Sequence, residues 1–469
     1  MVPYISYWLG EALAAEGNPA PAPALGEDRR ADVCIVGGGF SGLWTALHLK
    51  EQRPSLDIVV LEKDICGAGS SGRNGGFCMT WASKLPTVVK MGGAQEGVRL
   101  LRASQDAVRA IGRFCRENAI DCHFRDDGWL WTAGHASENG AWNDVLDVLD
   151  KLGAQAFERL TPEEVARRAG SRGHVAGVFE AGAATVQPAR LNRGLRRVAL
   201  AKGVRIYENT MMTGLDRGTP PRVRTAKGTI TADKVVLALG TWAAALPEFR
   251  RTLVPLSADM VVTAPMADSL KAVGLTTGVA ISDSSMLVNY YRTTVDGRIV
   301  FGRGGGYFIF GGRLGTTFDG PTPRAAEVAS ELHRYYPSIA KVPLAENWRG
   351  PVERTATGLP FFGTLPSNPN IVYGHGYTGN GVGPSYLGGR ILASLTLGLD
   401  DEWSSCPLAK GPKGQFPPEP FRYVGAVMVK AAIKRKEAAE IAGRRPRALD
   451  TYLAGLAPAG LTPLTKKKT

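Results

Sequence analysis

The apolar positions along the chain fall into short runs of period two and longer runs of helical period. Asp32 to Val36 is a brief β-branched run. Ser41 to Gln52 follows with Leu43, Ala46 and Leu47 on one helical face, and Asp57 to Leu61 returns to an apolar strand. The three segments predict a βαβ unit. Pro188 to Lys202 repeats Leu191, Leu195, Val198 and Ala199 along one face, then gives way to strands at Val204 to Glu208 and Lys234 to Leu239, predicted to rejoin the same sheet. Gly128 to Thr132 and Met260 to Phe310 are rich in Val, Tyr and Phe, with Asp296-Gly297 as a hairpin turn, and predict a separate antiparallel sheet. No internal repeat is present, so the pattern favours an interleaved two-domain α/β architecture over a solenoid. Gly17 to Leu25 (GNPAPAPAL) has no period and reads as an extended strap before the fold proper.

Composition narrows the possibilities. A chain of 469 residues with 44% apolar residues buries a sizeable core. Its longest apolar run, Val235 to Leu246, is broken by Gly240 and Thr241 and is far short of the roughly 20 residues that span a bilayer. Met1 to Gly10 carries no Lys or Arg, so the charged start of a secretory signal is missing and a cytoplasmic location is expected. The six cysteines form no C-x-x-C pair and have no His at zinc spacing, which argues for structural thiols and against a metal site. Net charge is +13, and from Phe421 to Thr469 eleven Lys or Arg stand against three acids. No helix-turn-helix, zinc-finger or aromatic RNA-binding pattern accompanies that charge, so no nucleic-acid partner is expected. The extension reads as a solvated helix with a frayed Lys tail, membrane contact being the rival reading.

The first strand ends in Gly37-Gly38-Gly39-Phe40-Ser41-Gly42, which fits G-x-G-x-x-G between a strand and a helix. Glu62 stands twenty residues after Gly42 at the end of the next strand, where a carboxylate can bind a ribose hydroxyl. Gly37 allows the tight turn, Gly39 lets the backbone reach a pyrophosphate, and Gly42 permits close packing. The motif defines a Rossmann-type dinucleotide unit and leaves FAD and NAD open. Two more segments favour FAD. Gly67 to Phe77 (GAGSSGRNGGF) is a glycine-rich stretch able to lie against a flat ring. Gly374 to Gly383 (GHGYTGNGVG) leads through Pro384 into a helix to about Leu397, whose N-terminus can stabilise the charge of a reduced flavin.

With these segments the sequence resembles the D-amino-acid-oxidase-like family of FAD-dependent amine oxidoreductases over roughly residues 30 to 400. The specific parts are Gly37 to Gly42 with Glu62, Ser71 to Gly76, Val235 to Gly240, Trp348-Arg349-Gly350 with Thr355 to Gly363, and Gly374 to Gly383. The SGRNGG segment is similar to the γ-glutamylputrescine oxidase branch, and Pro417 to Tyr423 with the basic helix is similar to putative aminophosphonate oxidoreductases. The resemblance implies an FAD domain at 30–100, 180–255 and 350–400, a substrate domain at 101–179 and 256–349, an arm at 1–29 and a basic extension at 401–469. It implies FAD contacts from Gly37, Gly39, Phe40, Ser41, Gly42, Glu62, Lys63, Arg73, Asn74, Gly75 and Gly76. It further implies Met212 near the adenine, Gly240 and Trp242 beside the phosphates, and Gly376, Tyr377, Gly379, Asn380, Gly381 and Val382 at the flavin. Gly350 stands where sarcosine-oxidase relatives carry the attaching Cys, so the FAD is expected to be non-covalent. Val300 and Gly383 stand where those relatives carry lysines for oxygen and for substrate carboxylate.

Amine oxidation by flavin needs the hydrogen-bearing carbon placed against N5 and little acid–base machinery. No nucleophile elbow, Cys–His pair or metal cluster is present. The expected partner is therefore a small amine, oxidised to an imine that hydrolyses, with O2 or another acceptor reoxidising the flavin. For an anionic group on that amine the candidates are Arg73, Arg292, Arg303 and Arg349, with Arg73 best placed beside the ring-facing loop. Its guanidinium is expected to need a ligand or the cofactor as partner. Tyr290 and Tyr291 offer aromatic faces to an amine, and strand alternation allows at most one to face the flavin. His375 is expected to satisfy backbone groups rather than act as a base. A nicotinamide-dependent dehydrogenase and a non-catalytic flavin- or lipid-binding protein are the alternatives.

Overall fold

The computed structural model describes residues 4–458. Its first sheet grows from the βαβ unit: Arg29–Val36 pairs in parallel with Ile58–Leu61 on one side and with Thr229–Leu237 on the other. Arg205–Tyr207 and Asn368–His375 extend the parallel sheet in the two directions, and Phe361–Leu365 closes one edge antiparallel. Covered on both faces, such strands carry continuous apolar runs rather than alternation, as all four buried residues of Ile58–Leu61 show. The Phe40–Gln52, Pro188–Ala201 and Pro384–Leu397 helices cover one face, where Leu43, Leu47, Leu191, Leu195 and Ile391 share a core. Cys34, Val59, Val235 and Phe249 belong to the core of the other face.

The second sheet takes its strands from 129–180 and 254–354, in the order Leu344–Arg354, Val254–Thr263, Ile299–Arg303, Asn289–Thr293, Ala280–Ser282, Trp129–Ala133, Ala176–Glu180, Glu158–Leu160. It is antiparallel except where Ala280–Ser282 runs parallel to Trp129–Ala133. Asp296-Gly297 does turn the central hairpin, with Gly297 at φ +75° and Thr294 N–H donating to the Arg298 carbonyl at 2.9 Å. Register then decides which side chains share a face. Tyr290 and Met260 both pair with Gly302 and look to one side, whereas Asn289, Tyr291, Phe301 and Arg303 look to the other.

Two expectations need correcting. The fold does not begin after the Pro/Ala strap: Tyr7–Ala15 is a helix, with the Ser6 hydroxyl accepting from Leu9 N–H at its start, and it buries Trp8, Leu9 and Ala12. The strap itself does lie extended, its Ala22 and Leu25 N–H groups donating to the Glu208 carboxylate and the Thr210 hydroxyl. Nor is the basic extension simply solvated. Its Phe421–Ile441 helix buries Ile433 beside Leu287, aims Arg422 at the Leu253 carbonyl, and offers the Glu437 carboxylate to Leu287 N–H at 2.9 Å. The Lys466 to Lys468 tail lies outside the described residues. All six cysteines are buried and unpaired, and among the described residues no helix is long and apolar enough to cross a membrane.

Trp8 is the anchor of the N-terminal helix: its indole N–H donates to the Asn74 carbonyl at 2.9 Å, and its ring carries the Arg292 guanidinium 4.9 Å from the centroid. Trp8→Ala is expected to cost about 3–5 kcal/mol, read as a lower denaturation midpoint. An unchanged midpoint would show that the helix is a detachable ornament.

Candidate active site

A cavity of about 430 Å³ lies between the sheets. It opens at the carboxyl ends of the parallel strands, where Val36, Leu61 and Ala238 line it, the usual place for a ligand in an open α/β sheet. Gly37, at φ +117°, would drive a Cβ to 2.3 Å from the Ala238 carbonyl oxygen, so only glycine makes this turn. A Cβ on Gly42 would stand 1.9 Å from the Gly37 carbonyl oxygen, so Gly42 serves packing and does not line the cavity. Gly39 caps the Phe40–Gln52 helix, and the Ser71 hydroxyl accepts from Phe40 N–H at 2.9 Å. Ser71 belongs to the SGRNGG segment but was not singled out among the expected contacts.

Glu62 reaches the cavity from the end of its strand, its carboxylate accepting from Gly38 N–H at 2.8 Å and Asp64 N–H at 3.0 Å. Burial raises its pKa, and those two amides work in the opposite direction. Lys63, Met212, Gly240 and Trp242 line the same end, together with Thr210 and Met211, which sequence reasoning missed. At the far end the Pro384–Leu397 helix presents its N-terminus through Val382 and Ser385, with Tyr377, Gly379 and Gly381 beside it. The Ser41 hydroxyl donates to the Tyr377 hydroxyl at 3.0 Å, tying the two helix starts together. Two helix N-termini thus converge on one cavity, and their dipoles favour negative charge inside it.

Several expected contacts lie off the wall. A Cβ on Gly76 would meet the Val186 carbonyl oxygen at 2.1 Å, and the Gly376 N–H donates to the Glu353 carboxylate at 3.2 Å. Asn380 is buried, its amide donating to the Thr80 carbonyl and its Oδ1 without a partner among the described residues. His375 does not serve backbone groups: both ring nitrogens lack partners, and burial among Phe249, Phe361 and Tyr373 lowers its pKa to about 3. It stays neutral, away from the cavity wall.

The second sheet supplies the opposite wall. Tyr290 lines it, its ring in a slot where a Cβ on Gly75 or Gly302 would come within 3.0 Å or 2.3 Å. Phe77 meets that ring edge-on at 6.0 Å. Tyr291 is corrected to a core residue: it points the other way, its hydroxyl against His174 and Tyr336. Arg303 is corrected likewise, since it shares the Tyr291 face, donates to Asn289 Oδ1 at 2.7 Å and lies among Glu327, Glu331 and Glu437. Arg292 is spent on the Gly75, Val186 and Thr293 carbonyls.

Arg73 and Asn74 line the cavity as expected, but the reason given for Arg73 as an anion receptor fails. Its guanidinium donates to the carbonyls of Ala68 (2.7 Å), Phe318 (2.5 Å), Tyr4 (3.1 Å) and Arg349 (3.4 Å), so neither ligand nor cofactor is needed to satisfy it. The cation that sequence reasoning missed is Arg354, on the wall beside Glu353. Lys84, close enough to feel the Arg354 charge, has its pKa lowered to about 7, by burial first and by that charge second. Glu353 is held by the Thr241 hydroxyl at 2.7 Å and by Gly376 N–H, and burial raises its pKa.

Comparison with known proteins agrees with this geometry. A family model described as FAD dependent oxidoreductase (DAO) matches residues 32–395. The chain is 29% identical over 420 residues to gamma-glutamylputrescine oxidoreductase of Escherichia coli strain K12, covering 88% of this chain and 95% of that one. It is 30% identical to a probable oxidoreductase OrdL of Rhizobium meliloti (81% and 86% covered), and 25% identical to a glycine oxidase of Pseudomonas aeruginosa (80% and 98%). Among solved structures, L-proline dehydrogenase from P. horikoshii superimposes with a TM-score of 0.66 at 21% identity (82% and 96% covered), and glycine oxidase from Geobacillus kaustophilus with 0.65 at 21% (81% and 98%). The chain belongs to the DAO family of FAD-dependent oxidoreductases.

The residues present fit the cofactor: a glycine turn without room for side chains, a carboxylate at the strand end and two helix starts facing one cavity. Gly39→Val would push its Cβ, 2.9 Å from Ser71 Oγ even before branching, into the turn, and is expected to abolish FAD retention. Glu62→Ala is expected to weaken binding by only about 1.5–3 kcal/mol. A yellow Gly39→Val protein would refute the assigned turn. No Cys or His lines the cavity among the described residues, and a side chain at Gly350 would press on the Arg73 carbonyl oxygen at 3.2 Å and its Cβ at 3.3 Å. Acid precipitation is therefore expected to release all FAD into the supernatant, and yellow colour retained in the pellet would contradict a non-covalent site.

Proposed function

We propose that this enzyme oxidises the C–N bond of a small amine that carries an anionic group, with O2 or another acceptor taking the electrons onward. The observation that carries the reading is the Tyr290 ring, set in its glycine slot on the wall opposite the parallel-strand ends. An aromatic face attracts an amine cation electrostatically, and the Phe77 ring stands edge-on beside it. When bound, FAD supplies the acceptor for the hydrogen and electron pair leaving the carbon. The chain's own residues position and exclude. The acids on the wall, Glu62 and Glu353, are each held by hydrogen-bond donors, so the substrate is oxidised as the fraction already present as neutral amine. The names of the relatives support an amine: γ-glutamylputrescine and glycine both carry one.

Arg354 lines this end of the cavity, its charge felt at buried Lys84, and it is the proposed partner of a carboxylate or phosphonate in addition to the contacts it already has within the chain. Arg73 takes the structural role.

Anaerobic bleaching of the flavin by matched anionic and uncharged amines tests both points. The rate is expected to rise with pH, following deprotonation of the amine. Arg354→Met is expected to raise the half-bleaching concentration of the anionic amine about ten- to a hundredfold, the loss of one charge-assisted pair of about 1.5–3 kcal/mol, with FAD content unchanged. Lys84 has its folded pKa lowered to about 7, so it is charged below that pH and neutral above it. The preference for the anionic amine should fade as pH rises through about 7. Equal bleaching by both amines at every pH would remove the anion site, and bleaching by 2-hydroxy acids alone would overturn the amine reading.

A further inference from the structure

The C-terminal helical hairpin has a solvent face that catalysis does not explain. The Phe421–Ile441 helix is docked through Arg422, Ala432, Ile433 and Glu437, and its first two turns keep one side free. On its free side Phe421, Val424 and Met428 follow one another at helical spacing, 71%, 52% and 52% exposed. Phe310, from the loop after the second sheet's central hairpin, is also 57% exposed and meets the Tyr423 ring edge-on at 5.6 Å, on a different side of the helix from this stripe. The short Ala448–Ala454 helix packed against it adds a second stripe with Leu449, Tyr452 and the following Leu456, each more than half exposed. Large apolar side chains spaced this way on two adjoining helices are a surface meant to be covered.

Charge says by what. The hairpin's three acids are already engaged: Glu437 with Leu287 N–H, Glu440 with Lys436, Asp450 with Arg435. Arg444, Arg445 and Arg447, in the turn between the helices, have no acidic partner among the described residues. A second copy presenting the same face would bring these arginines together in a chain already at +13. A nucleic acid would match the arginines and leave the Phe and Leu stripes in water. Only an interface that is anionic at its surface and apolar a few ångströms below satisfies both halves, and that is a phospholipid leaflet. We infer that the Phe421–Ile441 and Ala448–Ala454 hairpin seats the enzyme on an anionic membrane surface without crossing it.

The test is flotation of the full-length flavoprotein with vesicles of phosphatidylglycerol and phosphatidylethanolamine, and with phosphatidylcholine vesicles as the uncharged control. Flotation with the anionic vesicles only, weakened by added salt, is expected. Replacing Arg444, Arg445 and Arg447 together by Gln should lower the vesicle partition constant about a hundredfold, and Phe421→Ser with Met428→Ser should lower it while leaving charge unchanged. All five changes lie outside the flavin cavity, so FAD content and amine bleaching should stay intact and certify the fold. Absence of flotation with either vesicle would overturn the inference. So would a protein whose light-scattering mass halves on Phe421→Asp without lipid, because that face would then be the contact between two copies.

Discussion

Two buried guanidinium groups hold the glycine-rich loop 67–77 against the second sheet, and the cavity exists because they do. Arg73 gathers main-chain carbonyls from the N-terminal segment, its own loop, the 310s loop and the Leu344–Arg354 strand. Arg292 reaches back from the sheet to the Gly75 and Val186 carbonyls and lies over Trp8. Burial lowers both pKa values, that of Arg292 to about 9, and arginine alone among side chains keeps its charge under such a penalty. A planar donor fork also suits carbonyls arriving from several directions. Between these clamps the loop keeps Gly75 against Tyr290, and that contact sets the distance between the parallel-strand ends and the opposite wall.

The division of labour in the cavity follows. One wall, from the parallel sheet, offers helix N-termini and amides to an anionic cofactor; the other, from the antiparallel sheet, offers the Tyr290 ring and, at one end, Arg354. Among the described residues, Glu62 and Glu353 on the wall each already accept two hydrogen bonds, and His375 is kept neutral in an apolar nest away from it. Such a site suits chemistry in which the cofactor takes the electrons and the protein supplies position. Gly383 fits this economy of space, because a Cβ there would stand 2.3 Å from the Met79 carbonyl oxygen.

Much of this was legible in the sequence because it is local. The turn Gly37 to Gly42, the acid at Glu62 and the Pro384 helix start are decided by neighbours within a few residues, and each stands where the pattern put it. Tyr290 against Tyr291 was a parity question that alternation left open. Once the Asp296-Gly297 turn fixes the register, Tyr290 pairs with Gly302 and Arg303 must look away, so the hairpin already held the signal that removes Arg303 from the site. Arg73 was placed correctly and its role misread, because its four carbonyls come from residues as far apart as Tyr4 and Arg349. Arg354 and the Tyr7–Ala15 helix were missed for the same reason: pairing of Leu344–Arg354 with Val254–Thr263 places the former, and burial against distant Trp348 stabilises the latter.

The most direct measurement is an anaerobic titration of Tyr290→Ala with the amine that bleaches the native enzyme. With Tyr290 forming the substrate wall, the variant should keep one FAD per chain and need about tenfold more amine, the loss of a cation–π contact worth about 1–2 kcal/mol. Loss of FAD, or bleaching at the native concentration, would contradict a cavity whose two walls divide cofactor and substrate in this way.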